Sequence, residues 1–263
     1  MNKNKKLAQR IIYASKATKL SKVARFGIIV TAMLTFLIFA VSFYGLQSGN
    51  FTFTVDEKAR QAGITLYEDP DTKIYTSRLI AEQVDNADGM TSLCGTEYST
   101  RPIGHKDCIP TDEEITSVNG SNNGDSYIAY TFYVTMVSNS QYIGDLISTV
   151  DIISTSRNAE EALRVKLIID GQSTTYAKRQ SERGQNPGDL ELLTDEPFYS
   201  DNTVARKAVN QFSPGETLKV TLVIWYEGYD ADHTVNLWSG GVKLEMNFTL
   251  ENTQPKQVEN EEN

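Results

Sequence analysis

Gly241–Glu251, GVKLEMNFTLE, sends Val242, Leu244, Met246, Phe248 and Leu250 to one side and Lys243, Glu245, Asn247, Thr249 and Glu251 to the other. Successive side chains of a strand point to opposite faces, so alternation of this length predicts a strand with one face on a core and one toward water. A helix would scatter the same five apolar residues around its circumference. Thr217 to Glu227 repeats the arrangement, with Leu218, Val220, Leu222, Ile224 and Tyr226 as the inner set and Lys219 and Thr221 opposite. Val223 and Trp225 fall on its outer face. Ser213-Pro214-Gly215-Glu216 supplies the turn before it.

Working outward, Tyr127–Val137 (YIAYTFYVTMV) carries apolar or aromatic residues on both alternating sets and reads as a central strand. Leu163–Asp170 and Thr174–Lys178 flank Asp170-Gly171, the signature of a hairpin. Gly144–Ser154, Phe51–Val55, Ile64–Glu68 and Ile74–Ala81 are further strands, while Ala159–Ala162 and Val204–Gln211 read as short helical turns. Many short strands separated by turn residues imply two packed antiparallel sheets over residues 47–251, long enough for one core. Within them 86–124 reads as a long surface loop and Ser181–Asp189 as a shorter one. Residues 252–263 are polar and acidic without apolar periodicity, so they are expected to be disordered.

Ahead of the strands lies Phe26–Leu46 (FGIIVTAMLTFLIFAVSFYGL), 21 residues without a charge. As a helix rising about 1.5 Å per residue it matches the roughly 30 Å hydrocarbon core of a bilayer. Residues 1–25 contain eight Lys or Arg and no Asp or Glu. The positive-inside rule therefore places this tail in the cytoplasm and everything after Leu46 outside. The alternative is a cleaved secretory signal, for which Ala40-Val41-Ser42 offers small residues, although the apolar run exceeds the usual length and Phe43, Tyr44 and Leu46 follow at once. Gly27, Ala32, Ala40 and Ser42 would also permit close approach of a partner helix.

With eight of the 25 bases ahead of Phe26, the rest of the chain carries 17 bases against 34 acids, a net charge near −17. Such a body repels phosphate backbones, so nucleic-acid binding is not expected. The two cysteines, Cys94 and Cys108, close a short loop, and in an oxidising exterior they are expected to form a disulfide; a metal site using both sulfurs with His105 is the alternative.

Catalytic signatures such as a G-x-S-x-G elbow, an H-E-x-x-H pair or a P-loop are missing from the sequence, and only His105 and His233 could titrate near neutrality without perturbation. One acidic constellation stands out, Glu227, Asp230, Asp232 and His233 in EGYDADH directly after a strand. It reads as a solvated turn, as a calcium site formed by Glu227, Asp230 and Asp232, or as a proton-transfer set of Glu227, Asp230 and His233. Most aromatic residues occupy core positions. Trp225 on an outer face and Trp238 beside Ser239-Gly240-Gly241 are the pair left for a binding surface.

The succession of an apolar segment, GNFTFTVDEKARQAGITLYEDP (49–70), YIAYTFYVTMVS (127–138), NAEEALRVKLIIDGQSTTYAK (158–178) and FSPGETLKVTLVIWYEGYDAD (212–232) resembles exported Gram-positive bacterial proteins related to the TasA/camelysin group. The resemblance spans most of the exported part and implies a jelly-roll-like β-sandwich at the cell surface or in an extracellular biofilm matrix. The expected molecule is thus a membrane-anchored surface protein, structural or adhesive, acting by contact, with no enzymatic role and no cofactor beyond a candidate calcium ion. Alternatives are a secreted matrix fibre subunit after cleavage, an accessory subunit of a membrane complex and an extracellular hydrolase. A fibre would use Phe51–Val55 as an edge strand that detaches and completes a neighbour's sheet.

Overall fold

The computed structural model describes residues 26–38, 51–84, 88–94, 107–235, 237 and 240–256. The chain divides into two units, Met1–Leu46 and Gln47–Asn263. In the first, residues 26–38 form one helix, α1, with every described side chain exposed. Thr31 and Thr35 return their hydroxyl protons to Gly27 O and Thr31 O one turn earlier. No helix among the described residues is long and apolar enough to cross a membrane. The tail 1–25 and the remainder of the 26–46 segment lie outside the described residues.

The second unit is mainly β and sandwich-like. Its first sheet runs β12 (Thr203–Phe212), β8 (Tyr142–Ser156), β14 (Gly241–Pro255), β1 (Phe51–Val55), β3 (Arg78–Ala81). The second runs β11 (Glu196–Pro197), β10 (Gln172–Ala177), β9 (Leu163–Ile169), β13 (Thr217–Tyr226), β7 (Tyr127–Met136), β2 (Ile64–Tyr67), with β6 (Gly120–Ser121) also on β7. Alternation delivers one face of each sheet to a shared core. Phe53, Met246 and Phe248 come from the first sheet, and Phe132, Leu167 and Leu222 from the second. The ring of Phe53 lies 4.8 Å from that of Tyr130 and 4.4 Å from that of Phe132, so aromatic contacts bridge the layers directly.

Several expectations hold in detail. Leu244, Met246 and Phe248 of β14 are buried while Glu245 and Asn247 between them are only half-buried. Gln172 pairs with Ile169 across Asp170-Gly171, and both turn residues have positive φ (46° and 82°), the geometry that a two-residue hairpin turn requires.

Other expectations are corrected. The sheets are mixed rather than antiparallel throughout: β1 runs parallel to β14, and β11 parallel to β10. Partners so far apart in sequence are joined by no short hairpin that would force the opposite sense. β1 is not an edge strand, because β14 and β3 flank it and Phe51 and Phe53 are buried. Val204–Gln211 is no helical turn but the body of β12, paired with β8. The stretch 252–255 continues β14 against Ile143 and Tyr142, where backbone pairing suffices without apolar side chains; residues 257–263 lie outside the described residues.

The excursion 86–124 holds structure as well. β4 (Met90–Thr91) pairs in parallel with β5 (Asp107–Cys108), and Cys94 is bonded to Cys108 with the Cα atoms 5.8 Å apart. A short helix follows, α2 being Glu57–Gln61 and this one α3 (Asp112–Thr116), started by a capping box of Thr111 and Glu114. Lys166 Nζ donates to Asp112 Oδ1 (2.7 Å) and Lys219 Nζ to Thr116 O (2.7 Å), fixing α3 across the outer face of the second sheet.

Candidate functional site

The end of β13 organises the site. Trp225 is paired in register with Arg164 of β9, so both side chains leave the outer face of the second sheet. That face is not open here. Trp225 is 2% exposed, packed in a second cluster with Met90, Ile115, Ala129 and Val223, with Ile109 against it. The expectation of Trp225 as a contact surface is therefore corrected: the disulfide-bearing excursion covers it. Its partner in that expectation, Trp238, lies outside the described residues, as does His105.

Glu227 fastens this cover. Its Oε2 accepts from Trp225 Nε1 (3.2 Å), Ser92 N (3.2 Å) and Ser92 Oγ (3.4 Å), and its Oε1 from Tyr229 N (3.4 Å). Gly228 N donates to Met90 O at 2.7 Å beside it. One buried carboxylate thus ties the excursion, the tryptophan and the following turn together, and each bond to it is charge-assisted.

Asp230 turns elsewhere. Its side chain is fully buried, Oδ2 lies 2.7 Å from Arg164 Nη2, and Oδ1 accepts from Asp232 N at 2.8 Å. The same guanidinium nitrogen lies 3.4 Å from Glu191 Oε2, contributed by the loop between β10 and β11. Asp232 Oδ1 faces Arg183 Nη1 at 3.9 Å. The acidic turn is accordingly neither solvated nor gathered: Glu227 serves the tryptophan side and Asp230 the arginine side. Among the described residues no three His, Cys, Asp or Glu form a group that could hold a metal, so Glu227, Asp230 and Asp232 do not converge as a calcium set. The Glu227 and Asp230 oxygens are themselves committed to different partners, Trp225 and Arg164.

Sequence reasoning missed Arg164 and Glu191. Between the Glu191 loop and the turn lies a cleft of ≈ 580 Å³, lined among others by Leu93, Arg183, Leu190, Glu191, Leu192 and Tyr229. A second recess of ≈ 320 Å³ adjoins it through Arg183, with Glu161, Glu182 and Asp232 in its walls. Burial, then the nearby Asp230 charge, push the Glu191 carboxyl up to about 7 against the pull of Arg164.

A carboxyl whose pKa is higher folded than unfolded binds its proton more tightly in the fold. Stability from this group is therefore present at low pH and is lost as pH rises from the ordinary carboxylate value through about 7. Glu191→Gln should be more stable than the parent at alkaline pH by on the order of 1–2 kcal/mol, a figure discounted for partial solvent access, and by much less near pH 5. Thermal melts at the two pH values check this. An equal difference at both would remove Glu191 as the cause.

No family model and no curated protein matches the chain. Among solved structures, it is similar to the β-glucosidase of Kluyveromyces marxianus in complex with glucose at 12% identity and a TM-score of 0.24, over 71% of this chain and 16% of that one. A selenomethionine-labelled form of the same enzyme matches at 12% identity and 0.24, over 70% and 17%. Likeness at that score assigns neither fold nor activity.

Proposed function

We propose that this chain is a single-pass, membrane-anchored cell-surface protein related to the TasA/camelysin group, whose jelly-roll-like sandwich acts through protein or matrix contacts. The observation that carries the reading is the uncharged segment 26–46 behind an exclusively basic tail, helical over 26–38 with apolar side chains such as Ile28, Ile29, Met33 and Phe36 exposed. Such a helix gains a solvent for those side chains in a bilayer. The disulfide supports an oxidising exterior. Passage of the chain from sheet to sheet at β7, β8 and β9, and again at β11, β12, β13 and β14, supports the jelly-roll connection. The carboxylates of the turn hold structure together, which favours contact over turnover.

Protease added to intact cells should digest the body after Leu46 while leaving 26–46 with the membrane fraction, as amino-terminal sequencing of the retained fragment would show. Digestion only after the cytoplasm is opened would refute the orientation. A mature form beginning at Phe43, after Ala40-Val41-Ser42, would replace the anchor with the secreted matrix subunit.

A further inference from the structure

The cleft beside Arg164 has the size of a ligand site and a wall that is already built. Gln180 N donates to Asp189 O (2.9 Å), Gly188 N to Gln180 O (2.8 Å) and Gln180 Nε2 to Leu190 O (3.0 Å), so the loop carrying Glu191 is held by its own bonds. Asn186 N donates to Gln180 Oε1 at 2.9 Å as well. Little ordering is then left for a ligand to bring about.

The wall has two characters. Leu190 and Leu192 are 38% and 42% exposed, and with Leu93 and Tyr229 they give the cleft an apolar side. Behind this wall, where Glu191 lines the cleft and Arg164 and Asp230 are buried, two carboxylates share one guanidinium. Asp230 takes the close contact at 2.7 Å, and Glu191 is left with the long one at 3.4 Å. Beyond Arg183, the adjoining recess adds Glu161, Glu182 and Asp232 against Arg157.

We infer that this cleft receives a lysine or arginine side chain of a partner polypeptide, its aliphatic stem along Leu93, Leu190 and Leu192 and its charged head at Glu191. Long basic side chains combine these two surfaces, an apolar stem and a cationic tip. A second basic residue of the same segment would meet Glu182 and Asp232 in the recess next door, Glu161 there being paired with Lys178. An anionic ligand would gain Arg183 but would meet Glu191 in the cleft and Asp232 in the adjoining recess. The acidic body, near −17 after the tail, draws cationic partners toward the cleft before contact.

The inference deepens the contact role proposed above and rests on it for its biological meaning, although binding itself is measured without reference to location. Ionised Glu191 is the binding form. The groups facing it are Arg164 from β9, Asp230, Asp232 and Tyr229 from the turn, and Arg183 from its own loop. Affinity should therefore rise with pH through neutrality.

The test uses the full-length chain in a neutral detergent and the dye-labelled peptide acetyl-Ser-Lys-Leu-Lys-Ser-amide, with glutamate and glutamine versions in place of both lysines, followed by fluorescence anisotropy. The lysine peptide should bind, about tenfold more tightly near pH 8 than near pH 5.5, and the other two should not. Glu191→Gln should weaken binding and flatten its pH dependence. Leu190→Ser, on an exposed side chain away from the ion pair, should weaken it at both pH values. Equal binding of the glutamate or glutamine peptide, an unchanged pH response in Glu191→Gln, or no binding of the lysine peptide would overturn the inference. Binding by a chain that cell-surface proteolysis places elsewhere would sink the surface role and leave the cleft standing.

Discussion

Replacing Arg164 by alanine should destabilise the sandwich by about 3–5 kcal/mol, because it strands a fully buried carboxylate without its cation. Asp230 has no exposed side-chain surface, and the guanidinium 2.7 Å away is itself 3% exposed. Since domains are commonly stable by about 5–15 kcal/mol, a loss of this size is a large share of the total. The double variant Arg164→Met/Asp230→Asn should lose much less than the single one, since it removes the charge together with its partner while the amide oxygen can still accept from Asp232 N at the position now 2.8 Å away. Denaturant midpoints of both variants and of Asp230→Asn close the cycle. A single Arg164→Ala loss below about 1 kcal/mol would mean that the pair is solvated in solution.

The same residue shows why the sandwich was legible in the sequence and the site was not. β14, β13 and the β9–β10 hairpin carry their partners' requirements in their own spacing: every second residue faces one core, and a core imposes period two. β12 lacks that signal because its pairing with β8 shifts register between Thr203 and Ala205 and again between Val209 and Phe212. Gln211, at φ 55°, sits in the second irregularity, and the Ala, Arg and Lys between leave a helix-prone composition that tertiary pairing overrides. The extension of β14 past Glu251 is hidden likewise by a shift between Glu251 and Gln254. Arg164 and Trp225 sit on the outer face that alternation assigns to water. What covers them comes from Met90, Ile109 and Ile115, isolated apolar residues in a segment without periodicity, and from Glu191 in a loop whose neighbours in sequence give no hint of Asp230. Local patterning reports which side a residue faces. It does not report what distant segment arrives there.

Reducing Cys94–Cys108 should uncouple that cover from the sandwich without unfolding the latter. Closing a loop of this length constrains the unfolded excursion by about 3 kcal/mol in the chain-entropy model, and at its far end the excursion is held to β7 through β6 and Asn122. Its attachments among the described residues include the small cluster around Trp225, the two Ser92 contacts with Glu227 and the lysines on α3, whereas the main core draws on both sheets independently of the bridge. In a Trp238→Phe background, where Trp225 is the sole tryptophan, thiol reduction or Cys94→Ser/Cys108→Ser should shift emission to the red and raise quenching by acrylamide several-fold. The far-ultraviolet β signal should persist. Leu93, beside Cys94, lines the cleft, so affinity for the lysine peptide should fall in the same samples. Simultaneous loss of the β signal would make the excursion part of the folding core. An unshifted Trp225 would show that the attachments other than the bridge, among them α3 pinned by Lys166 and Lys219, keep the face closed.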